Sequence, residues 1–171
     1  SSSSAASDVY KRQAVGYTSL LRRAAETLNI IAAAGWPGLP VIADAALNER
    51  HYGDLQGRFK DEVRQRYGSD VYQLWHRSYE IPPPGGESLR QTVERVGDFY
   101  RRTAEPDLRR GKNVLLVAHG NVIRSLVMIL DDLAPEALAA VEVLTGVPRI
   151  YRFDDELRVV HRESLAEGLT P

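Results

Sequence analysis

The stretch NVLLVAHGNVIRSL, from Asn113 to Leu126, combines an apolar strand, a histidine and the start of a helix. The run NVLLVA is continuous and apolar, which is typical of a parallel strand covered on both faces. His119 follows that strand, next to Gly120 and the free N–H groups of a predicted helix over Val122 to Leu130. Open α/β sheets place their ligands at such strand ends. A lone histidine there is as often structural as functional, so the rest of the chain decides its meaning.

Strands and helices alternate along the remaining sequence. AVGYTS and LPVIADAAL are predicted as short strands, and the apolar spacing of SLLRRAAETLNIIAAAG predicts a helix between them. Further helices are predicted at Phe59 to Tyr67, at Val71 to Tyr79 and from about Glu87, and VPRIYRFD with LRVV predicts a hairpin joined at Asp154 to Glu156. This order predicts an α/β fold, a three-layer α/β/α sandwich around a mostly parallel sheet.

Composition narrows the class of protein. A length of 171 residues with 43% apolar residues suits a single domain with one core. A formal net charge of -1 gives no global basic field, so we expect no nucleic-acid or membrane partner. The chain has no cysteine, which excludes disulfides and thiolate metal sites, and its apolar runs are too short to span a membrane. A cytoplasmic setting fits these features.

The first residues, SSSSAASDVYKRQ, have no periodicity. Ser3 to Gln13 back-translates without a gap as the adapter and mosaic end of a transposase-based DNA sequencing library. We therefore interpret residues 1–13 as a non-native tail and residues 14–171 as one domain that is incomplete at its amino terminus. Other codons in the underlying DNA would contradict this interpretation.

Several cations stand where an anion would be bound. Arg23 lies at the start of a predicted helix, where a cation opposes the helix dipole and calls for an anion nearby. The loop LNERHYGDLQG gathers Glu49, Arg50 and Tyr52, which suits an acid/base beside an anion but equally suits a polar surface turn. Lys60 and the WHR triplet of residues 75–77 add further cations, for which solvation is the ordinary explanation.

Known motifs restrict the chemistry that these groups could perform. The sequence contains no P-loop, no GxGxxG, no HExxH and no Cys/His metal spacing, so neither a nucleotide nor a metal mechanism is indicated. A pair of unit charges about 4 Å apart is worth on the order of 4 kcal/mol at an effective dielectric near 20, so a few cations suffice to bind a phosphate. Among the mechanisms considered, phosphoryl transfer through a histidine without a metal remains.

From Tyr17 to about Phe153 the chain resembles the 2,3-bisphosphoglycerate-dependent phosphoglycerate mutases of the histidine phosphatase superfamily. YTSLLRRAAET, LNERHYGDLQG, YEIPPPGGESL, AHGN and TGVP occur in the order and at the spacings of that family. LNERHYG together with PPP distinguishes the mutases from phosphatase relatives, which carry a different loop. The direct passage from PPP to GGESL resembles the shorter bacterial forms.

The resemblance implies a role for each candidate residue. A histidine in an RHG motif, at the end of the first strand, is phosphorylated by 2,3-bisphosphoglycerate and passes its phosphoryl group between the hydroxyls of a glycerate, without a metal. His119 would be the second, stabilising histidine and Glu49 the general acid/base. The remaining candidates would bind the phosphate and carboxylate groups: Arg23, Arg50, Tyr52, Lys60, His76, Arg77, Gly120 and Asn121. His76 departs from the paired arginines that are usual at its position.

No RHG occurs in the sequence. We therefore expect the nucleophilic segment upstream of Ala14, a sheet lacking its first strand, and a truncated chain that is inactive although its gene encodes a glycolytic isomerase of 3-phosphoglycerate and 2-phosphoglycerate. Two alternatives stay open, a phosphomonoester phosphatase of the same fold and a non-catalytic protein that binds phosphorylated ligands. The expected partners are small phosphorylated glycerates, and relatives are commonly homo-oligomeric.

Overall fold

The computed structural model describes residues 13–165. The predicted non-native tail lies outside the described residues except for Gln13, whose carbonyl oxygen accepts a hydrogen bond from the backbone N–H of Asn113 at 2.9 Å. No helix in the described range is both long and apolar enough to cross a membrane.

Three parallel strands form the main sheet: β1 (Ala14–Thr18), β2 (Val41–Ala43) and β3 (Asn113–Val117). Their order is β2-β1-β3, and the central Gly16 lies opposite both Val41 and Leu115. The carboxyl ends of all three therefore meet at one edge of the sheet. β1 and β3 coincide with predicted strands, but β2 is shorter than the strand predicted at LPVIADAAL. The last residues of that stretch, Ala45–Leu47, form a 3-10 turn, because the Asp44 side chain accepts a hydrogen bond from the Ala46 N–H at 2.8 Å.

A second, antiparallel sheet contains β4 (Arg149–Phe153) and β5 (Val159–Ser164), which confirms the predicted hairpin. Its turn is longer than predicted. The Asp154 carboxylate accepts hydrogen bonds from the backbone N–H groups of Glu156 and Arg158, at 3.1 and 2.8 Å. Those bonds hold residues 154–158 in a turn, so β5 begins two residues later than the predicted strand.

Six α-helices are described: α1 (Arg22–Gly35), α2 (Lys60–Tyr67), α3 (Ser69–Arg77), α4 (Leu89–Phe99), α5 (Glu105–Arg109) and α6 (Gly120–Leu130). The bounds of five are close to those predicted, whereas α5 was not predicted as a separate helix. A wider π-helical turn, Tyr100–Ala104, joins α4 to α5. Pro106 explains that turn, because proline has no N–H and its ring collides with the carbonyl four residues earlier.

Helices cover both faces of the main sheet. On one face, α1 buries Ala24, Leu28 and Ala32, at helical spacing. A Cβ added at Gly16 would lie 3.1 Å from Leu28 Cδ2, so the missing side chain lets helix and strand approach closely. On the other face, Tyr17 of β1 packs edge-on against Phe99 of α4, with ring centroids 5.3 Å apart. Val96 and Val122 complete this core, so α4 and α6 form the third layer.

The two sheets do not join within residues 13–165. In that range β3 pairs with β1 alone, and β4 pairs with β5 alone. Val114, Leu116 and Ala118 of the β3 segment are partly buried against the core, yet the outer backbone edge of this strand has no described neighbour. The predicted loss of a first strand stays a prediction.

Candidate active site

A buried serine–histidine pair lies at the carboxyl edge of the main sheet. Ser19 directly follows β1, and His119 comes two residues after β3. Ser19 Oγ and His119 Nε2 are 2.7 Å apart, and only 7% of His119 is exposed. One hundred residues of sequence separate the two, so only the parallel pairing of β1 with β3 brings them together.

The hydrogen bond between Ser19 and His119 depends on the tautomer of the imidazole. The backbone N–H of Leu21 donates to Ser19 Oγ at 3.1 Å, and the serine hydroxyl can still donate its proton to His119 Nε2 or accept one from it. Burial lowers the pKa of His119, the positive charges of Arg23 and Arg95 lower it further, and Glu49 opposes them. A neutral ring that accepts at Nε2 carries its proton at Nδ1, where it can donate to an anion.

Two helix amino termini meet beside this pair. His119 precedes α6, whose first turn contains Gly120 and the buried Asn121 and has no side-chain cap. The first turn of α1 has no acidic residue and begins with two arginines. Arg22 is exposed and forms an ion pair with Glu26 at 2.6 Å, whereas Arg23 forms none within residues 13–165. The free N–H groups and the Arg23 guanidinium create a region that favours an anion.

Glu49 is held next to Ser19 by its own loop. Asn48 Oδ1 accepts a hydrogen bond from the backbone N–H of Leu20 at 3.0 Å, which ties this loop to the end of β1. Glu49 is half-buried, and its Oε1 accepts from the backbone N–H of Arg50 at 2.7 Å. Because its charge acts on the pKa of His119, Glu49 shares the electrostatic surroundings of that ring. Arg23 and Glu49 therefore both lie near enough to His119 for their charges to act on its pKa.

Arg50, a predicted substrate ligand, points into the protein. Only 1% of the residue is exposed. Its guanidinium donates to the carbonyl oxygens of Glu87 at 2.7 Å, Trp75 at 2.8 Å and His76 at 3.4 Å. These bonds use three of the five N–H donors of the guanidinium and fasten the Glu49 loop to the end of α3. The role of Arg50 as a substrate ligand stays a prediction.

Tyr52 connects the serine–histidine pair to a neighbouring cavity. Asn121 Nδ2 donates to the Tyr52 hydroxyl at 3.0 Å. The Tyr52 ring stacks on His76, which stacks in turn on Tyr72, with ring centroids 5.9 and 5.3 Å apart. These three rings line a cavity of about 380 Å³ together with Lys60 and Trp75. Arg77 lies exposed at the end of α3 and outside this lining.

His76 presents an aromatic face rather than a full positive charge. Desolvation lowers the pKa of His76, and the positive charges of Arg50, Lys60, Arg124 and Arg77 lower it further. These effects disfavour the charged form of the imidazole. In place of the cation expected from the resemblance, the cavity contains a planar ring between two tyrosines.

Sequence comparison identifies the protein family. Residues 4–164 match the profile of the histidine phosphatase superfamily, branch 1. The chain belongs to this superfamily. It is 48% identical over 155 residues to the 2,3-bisphosphoglycerate-dependent phosphoglycerate mutase of a Chelativorans species. The aligned region covers 90% of this chain and 75% of the relative. It is 49% identical over 150 residues to the same-named protein of a Methylobacterium species, covering 87% and 72% respectively.

Solved structures of similar fold support the membership of the histidine phosphatase superfamily. YhfR from Bacillus stearothermophilus matches with a TM-score of 0.72 and 26% identity, over 85% of this chain and 70% of its own. A mycobacterial glucosyl-3-phosphoglycerate phosphatase matches with a TM-score of 0.72 and 25% identity, over 94% and 80%. The phosphoglycerate mutase-like α/β fold is therefore confirmed.

Sequence reasoning missed three residues at this histidine phosphatase site: Ser19, Glu87 and Arg95. Ser19 could have been found, because it follows a predicted strand just as the His119 segment does. Glu87 and Arg95 gave no local signal, since charged residues just before a helix and along its length are ordinary. Within residues 13–165 no group of three or more His, Cys, Asp or Glu side chains could hold a metal ion.

Proposed function

We propose that this chain carries the acid/base and phosphate-binding part of a phosphoglycerate mutase, which interconverts 3-phosphoglycerate and 2-phosphoglycerate. The buried Ser19–His119 pair beside Glu49 and Arg23 is the observation that carries the proposal. The 48% identity to a phosphoglycerate mutase supports the choice of substrate. We also propose that the enzyme acts in glycolysis and in the cytoplasm.

The site residues act on the transferring phosphoryl group. His119 donates from Nδ1 to a phosphoryl oxygen, while Arg23 and the N–H groups of Gly120 and Asn121 neutralise the remaining charge. Glu49 takes the proton of the attacking glycerate hydroxyl and returns it to the hydroxyl that is released. The side chains of Tyr52, Lys60, His76 and Arg77 bind the rest of the substrate.

The nucleophile in this proposal is the histidine of an RHG segment encoded upstream of Ala14. The other described histidines do not replace it: His51 is exposed and accepts from the Gly53 N–H at 3.1 Å, His76 is stacked between tyrosines, and His161 is exposed on β5. The chain itself, with residues 1–13 as a translated adapter and 14–171 as one domain, would then be inactive.

The donors present fit a strongly anionic cofactor, 2,3-bisphosphoglycerate, which carries two phosphate groups and a carboxylate. Arg23, Lys60 and Arg77 supply the cations that would hold its phosphates and its carboxylate. When bound, this molecule supplies the phosphoryl group that primes the nucleophilic histidine. No metal is needed in this proposal.

The experiment compares this chain with the product of the same gene read from genomic DNA upstream of codon 14. The longer product should interconvert the two phosphoglycerates, followed by ³¹P NMR, and should gain one phosphoryl group by intact mass after incubation with 2,3-bisphosphoglycerate. This chain should do neither. A stable phosphoryl group on any histidine of this chain would refute the proposed position of the nucleophile.

A phosphatase is the second candidate, because solved structures at a TM-score of 0.72 include a protein named as a phosphatase. In that case Glu49 would protonate the leaving alcohol and water would accept the phosphoryl group. The ratio of phosphate release to isomerisation in the longer product separates the two candidates. The absence of an RHG codon run upstream of codon 14 would instead favour a non-catalytic binding protein.

A further inference from the structure

One ion pair on the side of the Glu49 loop is unusually well shielded. Arg95 of α4 donates to Glu87 through two parallel bonds, Nε to Oε1 at 2.6 Å and Nη2 to Oε2 at 2.9 Å. The Arg95 side chain is 25% exposed and the Glu87 side chain 17%, the lowest values for any arginine–glutamate pair within residues 13–165. The bidentate geometry fixes both side chains relative to each other.

Glu87 holds the loop on the carboxyl side of Glu49 through hydrogen bonds. Its backbone N–H donates to the carbonyl oxygen of His51 at 2.8 Å, and its Oε2 accepts from the N–H of His51 at 3.2 Å. Its own carbonyl oxygen accepts from Arg50 Nε at 2.7 Å. Three hydrogen bonds therefore join Glu87 to the two residues that follow Glu49.

Arg95 holds the chain on the amino side of Glu49 through a hydrogen bond. Its third nitrogen, Nη1, donates to the carbonyl oxygen of Ala46 at 2.6 Å. The backbone of residues 46–51 is thus anchored at both ends by one ion pair, and Glu49 stands between the anchors. The pair itself does not contact the Glu49 carboxylate, whose described hydrogen bond goes to the Arg50 N–H.

We propose that the Glu87–Arg95 ion pair is a positioning element that sets the place of the Glu49 carboxylate. This inference rests on the proposed function of Glu49 as the acid/base. The effect depends on fork geometry rather than on charge alone, because lysine cannot bind Glu87 through two bonds and Ala46 through a third. Arg95 also places a positive charge near His119, so geometry and charge must be separated by experiment.

The Arg50 backbone N–H reports the position of Glu49, because it donates to Glu49 Oε1 at 2.7 Å. The test measures its ¹H–¹⁵N chemical shift and hydrogen-exchange rate in this chain and in Arg95→Lys, Arg95→Met and Glu87→Gln. We expect all three variants to move the resonance and to speed its exchange by about tenfold or more, the factor for losing a charge-assisted hydrogen bond. Arg90→Lys and Glu94→Gln, an exposed ion pair on the same helix at 2.7 Å, are the matched controls.

Three outcomes would overturn the inference. Arg95→Lys could behave like the parent chain, which would show that charge alone matters. The Arg50 amide could be unchanged in every variant. All amides could exchange faster to the same extent, which would show a purely structural role.

Ligand binding separates this inference from the proposed function. Calorimetric affinity for 3-phosphoglycerate should change by less than about twofold in Arg95→Lys, because Arg23 and Lys60 retain their charges. If the parent chain does not bind 3-phosphoglycerate, the proposed function is in doubt, but the Arg50 amide still decides whether the ion pair positions Glu49. In the longer gene product, Arg95→Lys should lower kcat and leave KM nearly unchanged.

Discussion

At the scale of single residues, the character of His119 depends on its neighbours more than on its own place in the sequence. Ser19 fixes the ring through Nε2 at 2.7 Å, and burial keeps the imidazole neutral. For Arg50 the structure differs from the expectation. Its motif predicts a substrate ligand, yet its guanidinium ends on three carbonyl oxygens inside the protein. Residue type and motif therefore predicted which functional groups are present, but not which partners their side chains bind.

The lowered pKa of His119 predicts how stability depends on pH. The unfolded chain binds a proton at the ordinary histidine pKa of about 6.5, whereas the folded chain resists protonation. The free energy of unfolding should therefore fall as the pH decreases from about 6.5 towards the lower pKa of folded His119. Urea unfolding at a series of pH values between 7.5 and 5, chosen to stay above the carboxylate range of about 4, measures this slope.

His119→Gln should reduce that slope, because it removes one titrating group and keeps a hydrogen-bonding side chain. The part of the slope that remains belongs to His76, whose pKa is also lowered. His161→Gln removes an exposed imidazole and serves as the control. A His119→Gln protein with the slope of the parent chain would show that His119 does not titrate in this way.

At the scale of elements, the Glu49 loop depends on a close fit with the proline–glycine loop of residues 83–86. The Asp54 N–H donates to the carbonyl oxygen of Pro84 at 2.9 Å. Gly53, with φ 56°, would place an added Cβ 2.0 Å from that same oxygen. The two loops therefore interlock by backbone contact, and this contact aligns Tyr52 with the cavity.

Gly53→Ala should destabilise the protein much more than Gly57→Ala. Both glycines have a positive φ, 56° and 73°, so both substitutions carry a backbone strain of about 1–2 kcal/mol. A Cβ at Gly57 meets nothing within 4 Å, whereas at Gly53 it overlaps backbone, which adds at least about 1–3 kcal/mol. Chemical denaturation measures the difference, and equal losses in the two variants would contradict the interlocked loops.

The start of α4 should contribute separately to stability. Ser88 Oγ accepts from the Gln91 N–H at 3.1 Å, and Gln91 Oε1 accepts from the Ser88 N–H at 2.8 Å, which forms a capping box. Ser88→Ala should lower the free energy of unfolding by about 1 kcal/mol. Ser69→Ala, at the start of α3 where no side-chain cap bond exists, should change it little. A loss in Ser69→Ala as large as that in Ser88→Ala would argue against the capping box.

At the scale of the whole molecule, the described residues form a main sheet and a separate hairpin. The outer edge of β3 is unpaired within residues 13–165, although its side chains belong partly to the core. An unpaired edge of this kind readily accepts another strand. This edge lies next to His119, so a strand added there would end in the candidate active site.

Native-state hydrogen exchange tests whether the edge of β3 is open in solution. Asn113 donates to Gln13, so the parallel register directs the amides of Leu115 and Val117 towards β1 and those of Val114 and Leu116 away from it. Leu115 and Val117 should exchange slowly, and Val114 and Leu116 quickly. The central strand β1 is the internal control, because its Gly16 amide donates to Pro40 at 2.8 Å. Slow exchange at Leu116 would show that something covers this edge.

The sequence alone determined the order of strands and helices, the position of His119 after a buried strand, and the family to which the chain belongs. Those features are encoded locally, because apolar periodicity and strand-end residues depend on neighbours within a few positions. Only the tertiary structure decided that Ser19 binds His119, that Arg50 turns inward, and that Glu87 and Arg95 hold the Glu49 loop. These contacts join residues far apart in the chain, and the partner that a polar side chain finds depends on which carbonyls and carboxylates the fold brings within about 3 Å.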